Sequence, residues 1–468
     1  MVTSAVIQAG SHVATIRTTE RLTACCIDET KEPPLVADHV AFALPGSDFI
    51  EDSVQATYYI EVDGRTDIVG KAKAFAIGQT IGTWTDVPGV TPEMRRKHMG
   101  RVTNILSTPP VDLIHQVPDR VGYFIQVALP IVNFGAQMPQ MLTTLLGNDA
   151  STSIQAKLVD LQLPAAFTSE FPGPRFGIAG VRDLVGVHDR PLLLNMIKPC
   201  TGLTPSQGAA IFRDTALGGV DLIKDDELLG NTEFSPVTAR VRAYLEAADA
   251  AAQVTGKRAV YVPNITDRPE RILDTARAAV DAGAQAVMIS FAVVGYGILQ
   301  ALAETVGVPI LAHYAGAGSY YEGGSTGMSS RIALGALPRL AGADMMMLNT
   351  PYGGYPMRRS SYLLTGHQLS LPHPQLKPTL PMVGGKVHPG LVDMFLKELG
   401  NEIVLAPGGA IQGHPQGAAA GVRAMLQAIE AAMAGVSAQT YAQDHQELDL
   451  ALKAWGIRHH SDSLGDSA

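Results

Sequence analysis

The sequence predicts an α/β protein in which an N-terminal α+β domain of ferredoxin-like type precedes a (β/α)₈ TIM barrel. Two patterns carry this prediction. After residue 190, short apolar runs recur at near-even spacing, and most are followed by an Ala- and Leu-rich helical pattern. Before residue 160, the segments 53–62 and 121–129 alternate and are rich in β-forming residues, whereas 136–146 has a helical pattern.

Eight apolar runs define the barrel. Each is short enough, and apolar enough on both faces, to be a strand of a parallel sheet that helices cover on both sides. Helical patterns such as 269–283 and 415–435 lie between most of them. A doubly wound open sheet is the alternative, but near-even spacing favours closure. The runs are 192–198, 220–227, 259–266, 286–290, 309–313, 344–350, 380–385 and 402–409.

The same patterns divide the chain into parts. Residues 1–45 are irregular and are expected to form an N-terminal arm, followed by the α+β domain at 46–165. The segment 161–188 is rich in proline, glycine and charge, which predicts a linker. The barrel is expected at 185–445 and a C-terminal tail at 446–468.

Composition limits the partners. The formal net charge is −9 and no run of basic residues occurs, which argues against nucleic acid and an anionic membrane surface. No apolar stretch is long enough to span a bilayer, and the N-terminus has no signal-peptide pattern. The three cysteines, Cys25, Cys26 and Cys200, make no disulfide framework. We therefore expect a cytoplasmic protein, and a small anionic substrate remains compatible with the acidic chain.

Polar side chains follow the apolar runs, at the strand ends where a parallel barrel carries its active site. The strongest group is the segment 224–227, Lys-Asp-Asp-Glu. The two-residue period of a strand puts Lys224 and Asp226 on one face and Asp225 on the other. Carboxylates beside an amine are costly unless they share a cation, and Mg²⁺ prefers hard oxygen ligands. An exposed charged turn at the strand end is the alternative interpretation.

Three further groups lie at strand ends. Lys198 ends the first barrel run among apolar neighbours and could act as an acid or base, or be only an ion-paired lysine. His313 ends the fifth run and could move a proton, although a single histidine is more often structural. The pairs Gly384-Gly385 and Gly408-Gly409 follow the last two runs, where backbone amides of such barrels often hold phosphate; otherwise they are ordinary turns.

The segment 218–227, Gly-Gly-Val-Asp-Leu-Ile-Lys-Asp-Asp-Glu, resembles the signature of the RuBisCO large-subunit family. Companion motifs occur in the family's order along the chain. Together they cover residues 50–445 and are more specific than any one motif. They are Gly82-Thr83-Trp84-Thr85, Gly147-Asn148, Met196-Ile197-Lys198 with Gly202-Leu203, and Gly413-His414-Pro415 with Gly417.

The resemblance implies a role for each matching residue. Lys224 would be carbamylated by CO₂ and would bind Mg²⁺ with Asp226 and Glu227. Lys198 would lie near the reacting carbons, and His313 would match the family's strand-five histidine. The remaining residues would bind a small phosphorylated substrate, partly from a second subunit of a homodimer with shared active sites. These are Gly385, Gly408 and Gly409, through backbone amides, and Thr83 and Asn148, which would reach the partner subunit's site.

Departures from the family's carboxylases are equally informative. Cys200 replaces a second lysine of the first-strand motif, and Gly78 replaces the catalytic glutamate of the N-terminal domain. Tyr314 stands where a phosphate-binding arginine follows the strand-five histidine. No lysine lies between Lys257 and Lys377, so the loop that steadies the carboxylated intermediate lacks its lysine. Metal-assisted enolisation is kept and CO₂ addition is lost, a combination that marks the RuBisCO-like group.

Within that group, the sequence favours a lyase that decarboxylates a phosphorylated sugar acid, of the 3-oxo-isoapionate 4-phosphate type, to an enediolate. The expectation rests on segments 316–327 and 350–356, which are polar and offer no evident apolar slot for a thioether. Two alternatives belong to methionine salvage: a diketo-methylthiopentyl-phosphate enolase and a methylthioribulose-phosphate isomerase. A third is a non-catalytic binding protein, which the intact Lys224, Asp226 and Glu227 disfavour.

Overall fold

The computed structural model describes residues 41–43, 48–82, 85, 87–110, 112–113 and 118–458. Almost all of the expected arm at 1–45 lies outside these residues, as do Thr83 and the end of the expected tail, 459–468. The described residues form two sheets, one of four strands and one of eight. No helix within these ranges is long and apolar enough to cross a bilayer.

The N-terminal domain is a four-stranded antiparallel sheet with helices against it. Its strands are β1 (Ser53–Asp63), β2 (Arg101–Thr108), β3 (Arg120–Pro130) and β4 (Lys157–Gln162), and its helices are α1 (Asp48–Glu51), α2 (Ile68–Gly78), α3 (Pro92–His98) and α4 (Met138–Leu145). The sheet order is β2-β3-β1-β4, with every pair antiparallel. Helices separate β1 from β2 and β3 from β4, which gives the βαββαβ order of a ferredoxin-like domain and confirms that prediction.

The C-terminal part is a closed barrel of eight parallel strands. They are β5 (Leu192–Met196), β6 (Leu222–Lys224), β7 (Val260–Val262), β8 (Val287–Ile289), β9 (Ile310–Ala312), β10 (Met345–Asn349), β11 (Leu380–Gly384) and β12 (Val404–Leu405). The sheet runs β7-β6-β5-β12-β11-β10-β9-β8, and backbone hydrogen bonds join its ends: Ile265 donates to Met288 at 2.9 Å, and Met288 to Pro263 at 2.8 Å. This closure confirms the barrel over the open sheet, and each strand lies within one of the predicted runs.

Helices surround the barrel, as the alternating pattern requires. They are α5 (Ala165–Thr168), α6 (Gly177–Val185), α7 (Pro205–Ala216), α8 (Val237–Thr255), α9 (Ile272–Asp281), α10 (Phe291–Val294), α11 (Tyr296–Thr305), α12 (Gly318–Tyr321), α13 (Leu337–Ala341), α14 (Arg359–Ser370), α15 (Val392–Leu399), α16 (Gly409–Gln412), α17 (Ala418–Met433), α18 (Ala438–Tyr441) and α19 (Gln446–Trp455). Sequence signals set their ends: α7 begins with a capping box of Thr204 and Gln207 around Pro205. The last helix, α19, packs on α17 with Leu448 and Ala451 buried.

The segment 161–188 is not the plain linker that its composition suggests. It contains α6, and Val181 of this helix packs into the cluster inside the barrel. Arg182 is buried, and its guanidinium donates to backbone carbonyls of the loops around it. Gly186, with φ 72°, ends the helix in the left-handed conformation. The helix therefore closes the N-terminal end of the barrel. Its apolar stripe is short, and the Gly- and Pro-rich composition of the segment hid it from sequence analysis.

The inward-facing positions of the strands form a dry interior beneath a polar layer. Residues at alternate positions, such as Leu222, Val262 and Met347, belong to one buried cluster inside the barrel. Two residues further along each strand, the next inward position lies at the C-terminal mouth. There the side chains are polar or absent: Lys198, Lys224, Asn264, Ser290, His313, Asn349, Gly384 and Gly408. The change from apolar to polar along each strand is what places the candidate site.

Candidate active site

Lys224 is fully buried at the mouth. Its Nζ donates a hydrogen bond to the backbone oxygen of Asp225 at 2.8 Å. Burial lowers the pKa of this amine, and the opposing attraction of Glu227 and Asp226 does not restore it. A lysine held toward its neutral form is a nucleophile for CO₂. The carbamate that the sequence implies is therefore chemically accessible at this position.

Asp226 forms a tight ion pair with Lys198. The carboxylate is buried, and Lys198 Nζ lies 2.5 Å from its Oδ2. Burial lowers the pKa of Lys198, but its hydrogen bonds to Asp226 and Cys200 and their charges together outweigh burial, and the net pKa is raised. Burial raises the pKa of Asp226, but the hydrogen bonds from Lys198 and the Leu228 N–H, with the charges of Lys198 and Lys224, together outweigh burial, and the net pKa is lowered. Before any ligand arrives, the mouth thus holds a protonated Lys198 and an ionised Asp226.

Two neighbours shape the position of Lys198. Its Nζ also donates to the Sγ of Cys200 at 3.2 Å. A Cβ on Gly408 would lie 3.2 Å from Lys198 Cε, closer than most Cβ contacts in proteins. Glycine at 408 therefore leaves room for the lysine stem to cross the mouth from β5 toward Asp226.

His313 faces Glu227 across the mouth. Its Nδ1 accepts the N–H of Ala315 at 3.1 Å, so the proton of the neutral ring lies on Nε2. Nε2 is buried without a hydrogen-bond partner and lies 3.5 Å from Glu227 Oε2. Burial, followed by the charges of Lys224 and Lys198, lowers the pKa of His313 well below its usual value. The imidazole is therefore a neutral donor whose N–H is available at the mouth.

Asp225 points out of the barrel, as the strand period predicts. Its carboxylate accepts from Arg240 (3.1 Å), from the hydroxyl of Tyr261 (2.8 Å) and from the backbone of Asn264 (2.9 Å). Arg240 belongs to α8 and is itself fully buried. Asp225 therefore anchors the loop after β6 to the surrounding helices, which holds Lys224 and Asp226 on the opposite face.

Asp226 and Glu227 are the carboxylates that could hold a metal ion. Among the described residues, no three His, Cys, Asp or Glu side chains are grouped as a ready metal site. A third protein oxygen would therefore come from a carbamate on Lys224. The amine of this lysine already interacts electrostatically with both carboxylates. Mg²⁺ takes oxygen ligands and usually retains water or substrate oxygens as well. The residues at the mouth fit Mg²⁺ on condition that Lys224 carries CO₂.

The glycine turns after β11 and β12 lie beside the mouth, where phosphate binding was predicted. Gly385 has φ 80° and Lys386 has φ 58°, an uncommon conformation for a non-glycine residue. A Cβ on Gly354 would lie 3.3 Å from Lys386 Cε, so the lysine side chain reaches the loop after β10. Sequence analysis passed over Lys386; its place directly after a glycine pair was the signal that could have found it.

Asn148 lies apart from the barrel mouth. It is exposed and lines a cavity of about 690 Å³ in the N-terminal domain, together with Gln79, Arg95 and Asp149. No described barrel residue lines this cavity. A Cβ on Gly78 would lie 1.8 Å from Asp149 Oδ2, so any larger residue there would displace that carboxylate. Within this chain Asn148 does not join the other predicted site residues, and Thr83 is outside the described residues.

Tyrosines border the mouth on the side of β9 and β10. Tyr314 stacks on His313, with ring centroids 5.0 Å apart and planes at 17°. Burial, then the nearby Glu227, Tyr321 and Tyr355, raises the pKa of Tyr314. The side chain of Tyr355 is 74% exposed. The loops at 316–327 and 350–356, expected to be simply polar, therefore place aromatic rings beside the site.

Known proteins resemble the chain over most of its length. Family models for the ribulose bisphosphate carboxylase large chain match residues 48–167 (N-terminal domain) and 177–455 (catalytic domain). A ribulose bisphosphate carboxylase-like protein of Archaeoglobus fulgidus is 41% identical over 418 residues, 88% of this chain and 95% of that protein. A 2,3-diketo-5-methylthiopentyl-1-phosphate enolase of Geobacillus kaustophilus is 36% identical over 415 residues, 86% of this chain and 98% of that protein. The crystal structure of a RuBisCO-like protein (MtnW) from Alicyclobacillus acidocaldarius superposes with a TM-score of 0.79 and 37% identity, covering 86% of this chain and 100% of that one.

Proposed function

Because the chain belongs to the RuBisCO large-chain family, among its RuBisCO-like members, we propose that it is a Mg²⁺-dependent enolase of a monophosphorylated diketone. The observation that carries the proposal is the gathering of ionisable side chains at one barrel mouth: Lys198, Lys224, Asp226, Glu227 and His313. Two relatives that are 36% and 35% identical to the chain are named 2,3-diketo-5-methylthiopentyl-1-phosphate enolases. Enolisation therefore replaces the decarboxylation that the sequence favoured.

The metal site of the proposal consists of Asp226, Glu227 and a carbamate on Lys224. Bound there, Mg²⁺ would supply Lewis acidity, which stabilises negative charge on a carbonyl oxygen of the substrate. The buried amine of Lys224 supports the carbamate, because CO₂ reacts with neutral amines. A non-catalytic barrel is disfavoured, since buried polar groups without partners lower stability and are retained where function needs them.

Enolisation breaks a C–H bond beside a carbonyl, and the electron pair forms a C=C bond while negative charge develops on oxygen. The proton needs a base: an oxygen of a carbamate on Lys224 would suit, and Lys198 Nζ would suit once it has lost its own proton. His313 is the complementary donor: its Nε2–H faces the mouth and can hydrogen-bond the developing oxyanion. Lys198 is paired with Asp226 in the free protein, so its role requires that this pair opens when ligands bind.

The phosphate would bind at the glycine turns. Gly385, Gly408 and Gly409 offer backbone N–H groups at the ends of β11 and β12, and Lys386 adds a cation beside them. Asn148, and with it Thr83, would act from a second copy of the chain. The separation of Asn148 from the mouth supports this part of the proposal, because within one chain its cavity has no barrel lining. The proposed active form is thus a homodimer with shared sites.

Two substrates test the proposal side by side. The full chain is incubated with Mg²⁺ and bicarbonate, then given 2,3-diketo-5-methylthiopentyl 1-phosphate or, separately, 3-oxo-isoapionate 4-phosphate. We expect the absorbance of an enol with the first and no CO₂ release from the second. Glu227→Gln should lower enol formation by at least about 10²-fold, because it removes a charge that holds the metal.

Glu402→Gln is the matched control. Glu402 is a half-exposed glutamate paired with Arg182 at the N-terminal end of the barrel, so its replacement should keep the wild-type rate. CO₂ release from the second substrate that disappears in Glu227→Gln, without enol from the first, would contradict the proposal and establish the decarboxylase.

A further inference from the structure

The loop after β10, residues 350–358, lies directly against the glycine turn after β11. A Cβ on Gly353 would lie 2.6 Å from the backbone oxygen of Gly385, a distance that real Cβ atoms essentially never show. A Cβ on Gly354 would lie 3.3 Å from Cε of Lys386. Glycine at 353 is what lets the two backbones approach so closely. The loop therefore stands beside the turn at which the phosphate is proposed to bind.

A buried carboxylate ties this loop to the helix behind it. Glu398 of α15 has a side chain that is 1% exposed, and it accepts from the hydroxyl of Tyr352 (2.5 Å) and from Nε of Arg359 (2.8 Å). The ring of Tyr352 is buried and packs on Phe395 of the same helix, with centroids 5.8 Å apart. Arg359 begins α14, where the loop ends. We call Tyr352, Arg359 and Glu398 the Glu398 latch.

Hydrogen bonds within the loop give it a defined shape. The N–H of Tyr352 donates to the hydroxyl oxygen of Thr350 at 3.2 Å. The N–H of Met357 donates to the backbone oxygen of Thr350, also at 3.2 Å. The side-chain amide of Asn349 donates to the backbone oxygen of Tyr355 at 3.3 Å. These bonds join the two ends of the loop, so its shape is set by groups of the chain itself.

The burial of Glu398 is costly, and its partners indicate what the cost achieves. Oε2 of this carboxylate is buried and has no hydrogen-bond partner among the described residues. An incompletely paired buried carboxylate lowers stability relative to an apolar side chain of similar size. Its two donors come from the loop and from the residue at which the loop ends. Buried ionic groups of this kind can specify one conformation over others, and here that conformation is the loop against the glycine turn.

A loop beside a binding site can be a lid, which a ligand brings into place, or a wall that is already in place. A lid reduces the apparent affinity, because only the fraction of molecules with the loop in place binds the ligand. A wall avoids this loss. The close approach of Gly353 to Gly385 and the Glu398 latch both favour the wall.

We propose that the Glu398 latch is a positioning device that holds the loop after β10 against Gly385 and Lys386 in the free protein. The loop is then a fixed wall of the phosphate pocket. Tyr352 and Glu398 are positioning residues, because they act through the loop and do not touch the substrate. The proposal rests on the function proposed above and deepens it, since it assigns the groups that shape the phosphate site.

Hydrogen exchange distinguishes a wall from a lid. Exchange of the backbone amides of 350–358 is followed by mass spectrometry in the full chain, with and without saturating inorganic phosphate. We expect slow exchange that phosphate changes by less than about threefold, because the latch already orders the loop. A larger slowing by phosphate would show that the ligand orders the loop, and it would overturn the proposal.

Tyr352→Phe opens the latch while the ring can still pack on Phe395. It should speed the exchange of 350–358 and raise the Kd for inorganic phosphate about tenfold, because fewer molecules have the loop in place. KM for the diketone phosphate should rise equally while kcat stays within about twofold. A role in folding alone would lower the melting temperature without this split between KM and kcat. Tyr441→Phe is the matched control, since it removes a tyrosine bond to Glu430 (3.0 Å) on α17.

A second variant moves the loop and keeps the donors of the latch. Gly353→Ala places a methyl group against the backbone oxygen of Gly385, so the loop must shift away from the turn. We expect the same rise of about tenfold in Kd for phosphate and in KM. Gly307→Ala is its control, because a Cβ there meets nothing within 4 Å.

The outcomes separate this inference from the proposed function. If the diketone phosphate is enolised but either Tyr352→Phe or Gly353→Ala leaves the Kd for phosphate unchanged, the latch is overturned while the enolase function stands. If no diketone is enolised but both variants weaken phosphate binding and both controls do not, the latch stands and the enolase function fails.

Discussion

The two ends of the barrel handle buried charge in opposite ways. At the N-terminal end, Asp221 accepts from Arg190 through both carboxylate oxygens (2.8 Å each) and pairs with Lys257. Asp344 accepts from backbone N–H groups at the start of α6 and of β9. Arg339 donates to backbone carbonyls of α14 and of the segment before β11. These groups are buried and fully engaged, as expected of residues that stabilise the fold.

At the mouth, three buried polar atoms of the described residues lack such partners. His313 Nε2, Ser290 Oγ and Asn349 Oδ1 are buried without a hydrogen-bond partner. Lys224 donates to a backbone oxygen and not to a carboxylate. Polar atoms left unpaired in a folded barrel are costly unless a ligand completes them. Charged groups at the N-terminal end of the barrel therefore stabilise the fold, whereas those at the C-terminal mouth remain available to bind a ligand.

The largest effect is expected where a mouth residue is replaced by an apolar one. Lys224→Met should lower enolisation by about 10³-fold or more, because it removes the carbamate and with it the metal site. The same variant should unfold at an equal or higher temperature, since it removes a buried amine without a charged partner. Rate measurements and a thermal melt check both parts. A large loss of stability in Lys224→Met would contradict the contrast between the two ends.

The reverse pattern is expected at the N-terminal end. Asp221→Asn should lower the free energy of unfolding by about 3 kcal/mol, because Arg190 and Lys257 lose their buried carboxylate. Activity per folded molecule should stay near wild type, since Asp221 lies at the far end of β6 from Lys224. Urea unfolding and the rate of the purified native fraction measure the two quantities. A selective loss of rate with unchanged stability would show that the two ends are coupled.

His388, three residues after Gly385 and near Arg458, tests whether a buried atom without a hydrogen-bond partner affects stability alone. Its Nδ1 has no hydrogen-bond partner, and burial followed by the charge of Arg458 lowers its pKa to about 4. A histidine with a lowered pKa contributes stability in full above its unfolded pKa near 6.5, and this is lost as pH falls toward 4. We expect a loss of up to about 3 kcal/mol across that window. In His388→Gln the slope should flatten, whereas the exposed control His188→Gln should keep it.

A smaller effect is expected at Gly408. Gly408→Ala places a methyl group against the stem of Lys198, so the amine should shift away from Asp226. We expect about a tenfold loss of rate with little change in the melting temperature. Gly307→Ala is the control, because a Cβ there meets nothing within 4 Å. An unchanged rate in Gly408→Ala would show that the position of Lys198 does not matter to the reaction.

The residues that sequence analysis placed well are those governed by strand periodicity. Lys224 and Asp226 face the mouth while Asp225 faces α8, because successive side chains of a strand alternate. His313 and Lys198 follow the same rule at the ends of β9 and β5. These positions depend on local backbone geometry, which the order of apolar and polar residues specifies.

The features that sequence analysis missed depend on contacts between distant segments. Tyr355 comes near Tyr314 only because the loops after β9 and β10 are neighbours in the closed barrel. Lys386 reaches Gly354 across two such loops. The helix α6 was concealed by a Gly- and Pro-rich composition, although Val181 packs into the barrel interior. No local sequence pattern encodes these contacts, because they depend on which strands are neighbours in the folded barrel.

The most direct test of the contrast between the two ends is calorimetric binding of Mg²⁺ with and without bicarbonate. The wild-type chain and Asp221→Asn should bind Mg²⁺ tightly only when bicarbonate is present, because the third oxygen ligand comes from CO₂ on Lys224. Lys224→Met should not bind under either condition. Equal Mg²⁺ affinity in all three proteins, independent of bicarbonate, would contradict the claim that the charges at the mouth are kept for a metal ion.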